Sequence, residues 1–226
     1  MLVLYLILSM AIGYLSGSLN WAIIITKIVA GKDIREIGNG NAGSANVGRC
    51  LNKGWGAVVL FLDLFKAIGP VILARWLFFS GDGYADFLPL FLPGMAAILG
   101  HCKPLYFGFK GGRGAAAGMA VFLFFIPVEL LISQLISFLL VTAFFRKEKY
   151  SIGRWTSVFF VLLVHFLTLA VNYLFEIPLF AHLTFGGHPW FILTGVFATS
   201  LFLLFINYPF LRNATEHLVH KKPPED

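Results

Sequence analysis

Residues 115–145 read AAAGMAVFLFFIPVELLISQLISFLLVTAFF, an apolar run with Pro127 and Glu129 near its middle. A helix needs about 20 apolar residues to cross the hydrocarbon core, so this run is too long for one ordinary span. It is either one long bent helix or a tight hairpin of two short ones. The flanking charge decides between them. The segment before the run carries Lys103, Lys110 and Arg113, and the segment after it carries Arg146, Lys147, Lys149 and Arg154. Loops rich in Lys and Arg stay on the cytoplasmic side, so both segments belong to one side of a membrane. The run therefore crosses twice and turns near Pro127, where proline cannot continue the helical ladder.

The same rule extends outward in both directions. Apolar runs also cover Leu2 to Ile25, Trp55 to Phe79, Phe87 to Leu99, Trp155 to Phe175 and Trp190 to Ile206. Of the 17 lysines and arginines, Lys66 and Arg75 lie inside the second run, and the others fall in three loops and the C-terminal tail. This predicts an all-α integral membrane protein of about seven spans, with the N-terminus out and the C-terminus in. Residues 1–226 read as a single polytopic domain, with 211–226 a cytoplasmic tail. The start Met1-Leu2-Val3-Leu4 has no basic segment ahead of it, which predicts a retained first helix and not a cleaved signal. The chain is 58% hydrophobic and only 12% charged, which excludes a soluble domain, typically about 25% charged. The net charge of +6 is explained by loop topology, so no nucleic-acid partner is expected. Cys50 and Cys102 both fall in basic loops, which fits a reduced compartment and no structural disulfide.

Two loops concentrate polar chemistry. The first, Gly108-Phe109-Lys110-Gly111-Gly112-Arg113-Gly114, leads directly into the apolar run. A Gly-Gly pair lets backbone N–H groups turn toward an anion, two cations stand beside it, and a helix N-terminus follows. The second, between Thr26 and Gly54, is centred on Gly38 to Arg49 and contains Asn39, Asn41, Ser44 and Asn46. Asparagine side chains donate and accept, so this composition suits an ordered polar loop more than a plain linker. Asp63 and Lys66, three residues apart on one helical face, are expected to neutralise each other as a structural pair that also orders the adjacent loop. His101, one residue before Cys102, is a candidate phosphate ligand or base. His165, His182 and His188 stand in no ligand cluster, and no metal site is expected. The ligand implied is anionic and phosphorylated, meeting something apolar between the helices. The residues alone admit a lipid-synthesis enzyme, a non-catalytic binder of phosphorylated lipid precursors, or a small phosphate-ester transporter; the absence of an internal repeat counts against the last.

Three stretches together resemble the bacterial acyl-phosphate:glycerol-3-phosphate acyltransferase family: Gly17-Ser18 through Lys27, Asp33-Ile34-Arg35 through Asp63 and Lys66, and Gly100-His101 through Gly114. Tyr150-Ser151-Ile152-Gly153 is a weaker match. The resemblance implies an enzyme of phospholipid synthesis in the bacterial cytoplasmic membrane, with its active site facing the cytoplasm. It would move an acyl group from acyl phosphate to the 1-hydroxyl of sn-glycerol 3-phosphate, giving lysophosphatidic acid and phosphate. No cofactor is implied, because an acyl phosphate is already activated. By position, Lys110, Gly111, Gly112 and Gly114 would hold glycerol phosphate, with Arg113, Asn39, Ser44 and His101 contributing. Arg49, Asn41 and Asn46 would shape the acyl-phosphate side as the catalytic set. A substrate phosphate would itself accept the hydroxyl proton. The sequence departs from the family pattern at Asn39 (serine in the family), at Ser44-Ala45 and at Arg113 (lysine in the family). The histidine expected after the last span is replaced by the run Asn207 to Asn213.

Overall fold

The computed structural model describes residues 1–81, 84–144, 163 and 189–219. The third basic loop from Arg146 to Arg154, the expected span Trp155 to Phe175 with His165, the segment bearing Glu176, His182 and His188, and the tail lysines Lys221 and Lys222 lie outside the described residues. Among the described residues the chain is helical and contains no strand: α1 Leu2–Ser18, α2 Trp21–Ala30, α3 Ser44–Cys50, α4 Lys53–Leu77, α5 Tyr84–Phe87, α6 Phe91–Cys102, α7 Ala115–Phe125, α8 Pro127–Phe144 and α9 Pro189–Val219. Four stretches are long and apolar enough to cross a membrane: Leu2–Ala30, Lys53–Leu77, Leu88–Phe107 and Ile192–Pro209. α7 and the part of α8 from Glu129 to Ala143 are shorter apolar helices.

The apolar surface is distributed as a lipid-embedded protein requires. On α4, Phe61, Phe65, Ile72 and Trp76 share an exposed face, while Val59, Asp63, Lys66, Ala67, Val71 and Ala74 turn inward. Water would penalise the outer stripe; lipid does not. α1 shows the same inversion, with Leu4, Ile7, Leu8 and Leu15 exposed and Ser9, Gly13, Gly17 and Ser18 buried.

Small residues bring the helices together and fix their directions. A Cβ at Gly13 would collide with the Pro93 backbone, and one at Gly17 with the Ala97 backbone. The two contacts advance in step, so α1 and α6 run parallel at close backbone approach, the geometry small residues allow in membranes. α4 runs against α1: Lys66 lies beside Ser16 and Leu19 at one end, and Phe78 stacks on Tyr5 at the other, with ring centroids 5.1 Å apart. α7 runs against α6, since Gly114 faces Ile98 and Cys102 while Val121 faces Gly94. α9 runs with α6, since Gly195 faces Phe91 while Leu203 faces Gly114 and Gly118. Phe91 and Phe125 stack at 3.7 Å in the main core, beside Phe79, Phe87, Phe122 and Ile192.

Some boundaries differ from the sequence reading. The first run is two helices, because Asn20 is extended and accepts from the Ile23 amide, starting α2 afresh. α2 continues to Ala30 and stops where Gly31 adopts a left-handed conformation at φ 68°. The polar loop is not all loop, since Ser44–Cys50 forms the short helix α3 on top of α4, with Gly48 and Gly56 in close approach. The break in the long apolar run falls where the sequence reading places it: Ile126, with φ −140° and ψ 59°, leaves the helical region immediately before Pro127.

Candidate active site

The two polar loops meet at one end of the bundle, where α1 and α6 finish and α4 and α7 begin. Arg35 joins them. Its guanidinium grips Asp33 with Nε at 3.0 and 3.1 Å and Nη2 at 2.7 Å. The remaining nitrogen, Nη1, crosses to the other loop and donates to the carbonyls of Phe107 at 2.9 Å and Lys110 at 3.0 Å. The pair holds the Asp33 carboxyl below the usual carboxylate range, chiefly through the side-chain hydrogen bonds from Arg35.

Asn46 organises the first loop from beneath. It is buried, its amide donates to the carbonyls of Ile34 at 3.2 Å and Ile37 at 3.0 Å, and its oxygen accepts from the Asn39 amide at 3.1 Å. Gly38, at φ 62°, leaves room for that side chain: a Cβ there would strike Asn46 and Cys50. Asn39, exposed, in turn accepts from the Asn41 amide at 3.1 Å. Asn41, ahead of α3, and Ser44, its first residue, are half-buried, and Arg49 is exposed in its last turn. Asn20 reaches the Ala42 carbonyl at 3.5 Å.

The glycine loop differs in one respect from the sequence reading. The N–H groups of Gly111 and Gly112 do not point outward to an anion. They donate to Cys102 O at 3.2 Å and His101 O at 3.1 Å, satisfying carbonyls at the C-terminal end of α6. Glycine is needed there for close packing: a Cβ at Gly111 would strike His101 O, and one at Gly112 would strike His101 Nε2 and Ala42 O. Gly114, at φ 76°, caps α7 with no side-chain hydrogen bond to the helix. Lys110 is exposed and Arg113 half-buried, and the Arg113 carbonyl accepts from Asn207 Nδ2 of α9 at 2.9 Å.

His101 is also placed differently. It lies 3% exposed beneath Gly112, not open to a ligand, with Nδ1 3.7 Å from Asp63 Oδ1. Asp63 pairs with Lys66 at 2.8 Å, and Lys66 also donates to Leu19 O at 2.8 Å. The intramembrane pair therefore reaches the junction of α1 and α2 as well as the floor of the glycine loop. Ser18 continues this support, accepting from the Leu105 amide at 3.2 Å, and Tyr14 donates to Lys103 O at 2.9 Å. Cys50 and Cys102 are free thiols.

Arg35, Asn20 and Asn207 are the residues that sequence reasoning left unassigned. Asp33-Ile34-Arg35 does carry a local signal, an aspartate whose carboxylate accepts the amide two residues on, here at 2.9 Å. Asn207 is marked only by being a carboxamide in an apolar run.

The family model for glycerol-3-phosphate acyltransferase matches residues 7–215. The chain belongs to this family. It is 40% identical over 159 residues to the glycerol-3-phosphate acyltransferase of Mycoplasma capricolum subsp. capricolum, covering 70% of this chain and 60% of that protein. It is 42% identical over 117 residues to that of Anaeromyxobacter sp. (strain Fw109-5), covering 52% of this chain and 57% of that protein. The matched stretch thus spans somewhat over half the length of these curated relatives. Among solved structures, the glycerol 3-phosphate form of PlsY (YgiH), an integral membrane glycerol 3-phosphate acyltransferase, superposes with a TM-score of 0.70 at 24% identity, covering 98% of this chain and 96% of that one. The lysophosphatidic acid form of the same protein gives 0.63 at 25% identity, covering 94% and 92%. The family member described here is therefore an integral membrane protein with that helical fold.

Proposed function

We propose that this acyltransferase-family chain transfers an acyl group from acyl phosphate to the 1-hydroxyl of sn-glycerol 3-phosphate. The hydroxyl oxygen attacks the acyl carbonyl, the bond from carbonyl carbon to phosphate oxygen breaks, and lysophosphatidic acid and phosphate leave. The hydroxyl proton passes to a substrate phosphate, which agrees with His101 lying buried beneath the loop. The observation that carries this reading is the junction of the two loops through Arg35, which sets the helix bearing Arg49 and the loop bearing Lys110 on one end of the bundle. Lys110 and Arg113 bind the glycerol phosphate, aided by the start of α7, where Gly114 supplies no side-chain cap. Arg49 meets the acyl-phosphate group, with Asn39, Asn41 and Ser44 shaping that side. Asn46, Gly111, Gly112, Gly114 and His101 act by holding the loops. Aligning hydroxyl with carbonyl and stabilising the departing phosphate supply the rate.

The site faces the cytoplasm of a bacterial inner membrane, in a single polytopic domain whose residues 211–226 form the cytoplasmic tail. Helix directions support this topology. α7 leaves the loop end of the bundle and α9 returns to it, so the chain between them crosses an even number of times. α8 and residues 155–175 as two crossings meet that requirement and give about seven spans, with the N-terminus outside.

The test is incubation of the purified chain with acyl phosphate and glycerol 3-phosphate. Phosphate release that requires glycerol 3-phosphate and matches lysophosphatidic acid formed supports the enzyme. Binding of both compounds without turnover would return the chain to a non-catalytic role.

A further inference from the structure

Asp33 and Arg35 are charged residues in a loop expected to bind phosphate, and by sequence either could be read as touching substrate. Their geometry gives Arg35 another task. Nε and Nη2 are engaged by the Asp33 carboxylate, and Nη1 by two carbonyls of the glycine loop. Those carbonyls, of Phe107 and Lys110, flank Gly108 at φ 65° and Phe109 at φ 58°. Two consecutive left-handed residues turn the carbonyls toward a single point, and Phe109 is the one non-glycine residue with positive φ among the described residues. A bulky side chain holds that conformation only when its surroundings fix it. The fixing contacts are Arg35 on the two carbonyls and the Phe109 amide on Pro104 O at 3.0 Å.

The consequence falls on Lys110. Its carbonyl is held by Arg35 at 3.0 Å, and the next amide, of Gly111, is held by Cys102 O at 3.2 Å. The peptide is thus pinned on both sides while the side chain stays exposed. On the other loop, Asn46 binds the carbonyls of Ile34 and Ile37, on either side of Arg35, and sits on α3 three residues before Arg49. A path of hydrogen bonds and intervening main chain runs from the helix of Arg49 through Asn46 and the 34–37 segment to Arg35 and on to Lys110.

We propose that Asp33 and Arg35 form a positioning pair that fixes the placement of Lys110 relative to Arg49, without contacting either substrate. The proposal rests on the acyltransferase reading. A planar fork is essential to it, because one guanidinium spans a carboxylate and two carbonyls, whereas an ammonium is a single point charge on a flexible stem.

The experiment uses the full-length chain in vesicles with both substrates varied. Arg35→Gln and Asp33→Asn should each raise KM for glycerol 3-phosphate roughly tenfold, the size of one lost charge-assisted hydrogen bond, with a smaller change in kcat at saturation. Arg35→Lys should fail to rescue, and the double variant should be no worse than Arg35→Gln, because the two residues act as one unit. Exposed Glu36→Gln is the control and should match the wild type. A wild-type KM in Arg35→Lys, or a normal or lowered KM in Asp33→Asn, would instead mean that Arg35 binds phosphate itself, and would overturn the proposal. Hydrogen exchange separates this failure from failure of the acyltransferase reading. If the wild type shows no turnover, that reading falls, yet the Gly111 and Gly112 amides should still exchange faster in Arg35→Gln. Unchanged exchange there would overturn the positioning pair on its own.

Discussion

Ser16 supplies the hydrogen-bond donor that Pro70 cannot: its Oγ donates at 2.8 Å to the carbonyl of Lys66, four residues before the proline in α4. In a regular helix that carbonyl would accept the amide of residue 70, which proline lacks. Inside a bilayer no water replaces it, so a neighbouring helix must. The same hydrogen bond ties α1 to α4 beside the Asp63–Lys66 pair.

The Ser16–Pro70 relationship predicts a non-additive pair. Ser16→Ala should destabilise the protein by about 1–2 kcal/mol, the cost of leaving a part-buried carbonyl without a donor. In a Pro70→Ala background the restored amide satisfies that carbonyl, and Ser16→Ala should then cost much less. Unfolding in mild detergent measures both. An equal cost in the two backgrounds would show that Ser16 acts through something other than the carbonyl.

The Asp63–Lys66 pair predicts an asymmetry between breaking and replacing. Both side chains are buried, and Lys66 also holds Leu19 O. Lys66→Met should cost about 3–5 kcal/mol, because it leaves the carboxylate in the bundle with its strongest partner gone. Asp63→Leu together with Lys66→Met should recover most of that loss, since no charge remains to be desolvated. A double variant as unstable as Lys66→Met would place the effect in packing and not in charge.

Topology is tested by single cysteines in a background where Cys50 and Cys102 are serine. Cysteines at Lys32 and Lys103 should react only with reagent that enters the cell, and one at Ser80 with reagent confined outside. Lys32, Lys103 and Ser80 are exposed, so access is set by side and not by burial. A cysteine at Lys147 tests the hairpin and should label from inside. External labelling there would mean that the chain does not return through α8.

Much of this architecture was legible because membrane constraints are written in composition: length of apolar run, placement of cations, and Pro127 as the break. The loop's interior was harder to read. Gly111 and Gly112 look like anion donors by type, but the last carbonyls of α6 compete for the same N–H groups, and that competition depends on where α6 stops. Arg35 looks like one more loop cation, because the two carbonyls it binds besides Asp33 are more than seventy residues away in sequence. Asn20, Ser16 and Asn207 act on main-chain groups of distant segments, which side-chain identity does not encode. His101 is a candidate ligand by type; only the approach of Gly112 shows that it is covered.

Lys110 and Arg49 carry the prediction that bears most directly on function. Both are exposed cations at the same end of the bundle, and a model in which they serve only topology expects both to tolerate glutamine. Contact with a substrate phosphate gives a different result, since a charge-assisted hydrogen bond contributes roughly 1.5–3 kcal/mol, or about tenfold to a hundredfold or more. The two should also differ in kind. Lys110 extends from a peptide pinned by Arg35 and by Cys102 O, so in the proposed role it is pre-positioned to meet glycerol phosphate before reaction begins. Lys110→Gln should therefore raise KM for glycerol 3-phosphate and leave kcat nearly unchanged. Arg49 stands at the end of α3, and in the proposed role it meets the acyl phosphate, where charge grows on the leaving phosphate as its bond to the acyl carbon breaks. Arg49→Gln should mainly lower kcat, because its interaction strengthens in the transition state. Lys32→Gln is the control and should do little. Steady-state kinetics with each substrate varied in turn distinguishes these outcomes. Equal and mild effects at all three positions would remove both residues from the site and leave their charge to topology.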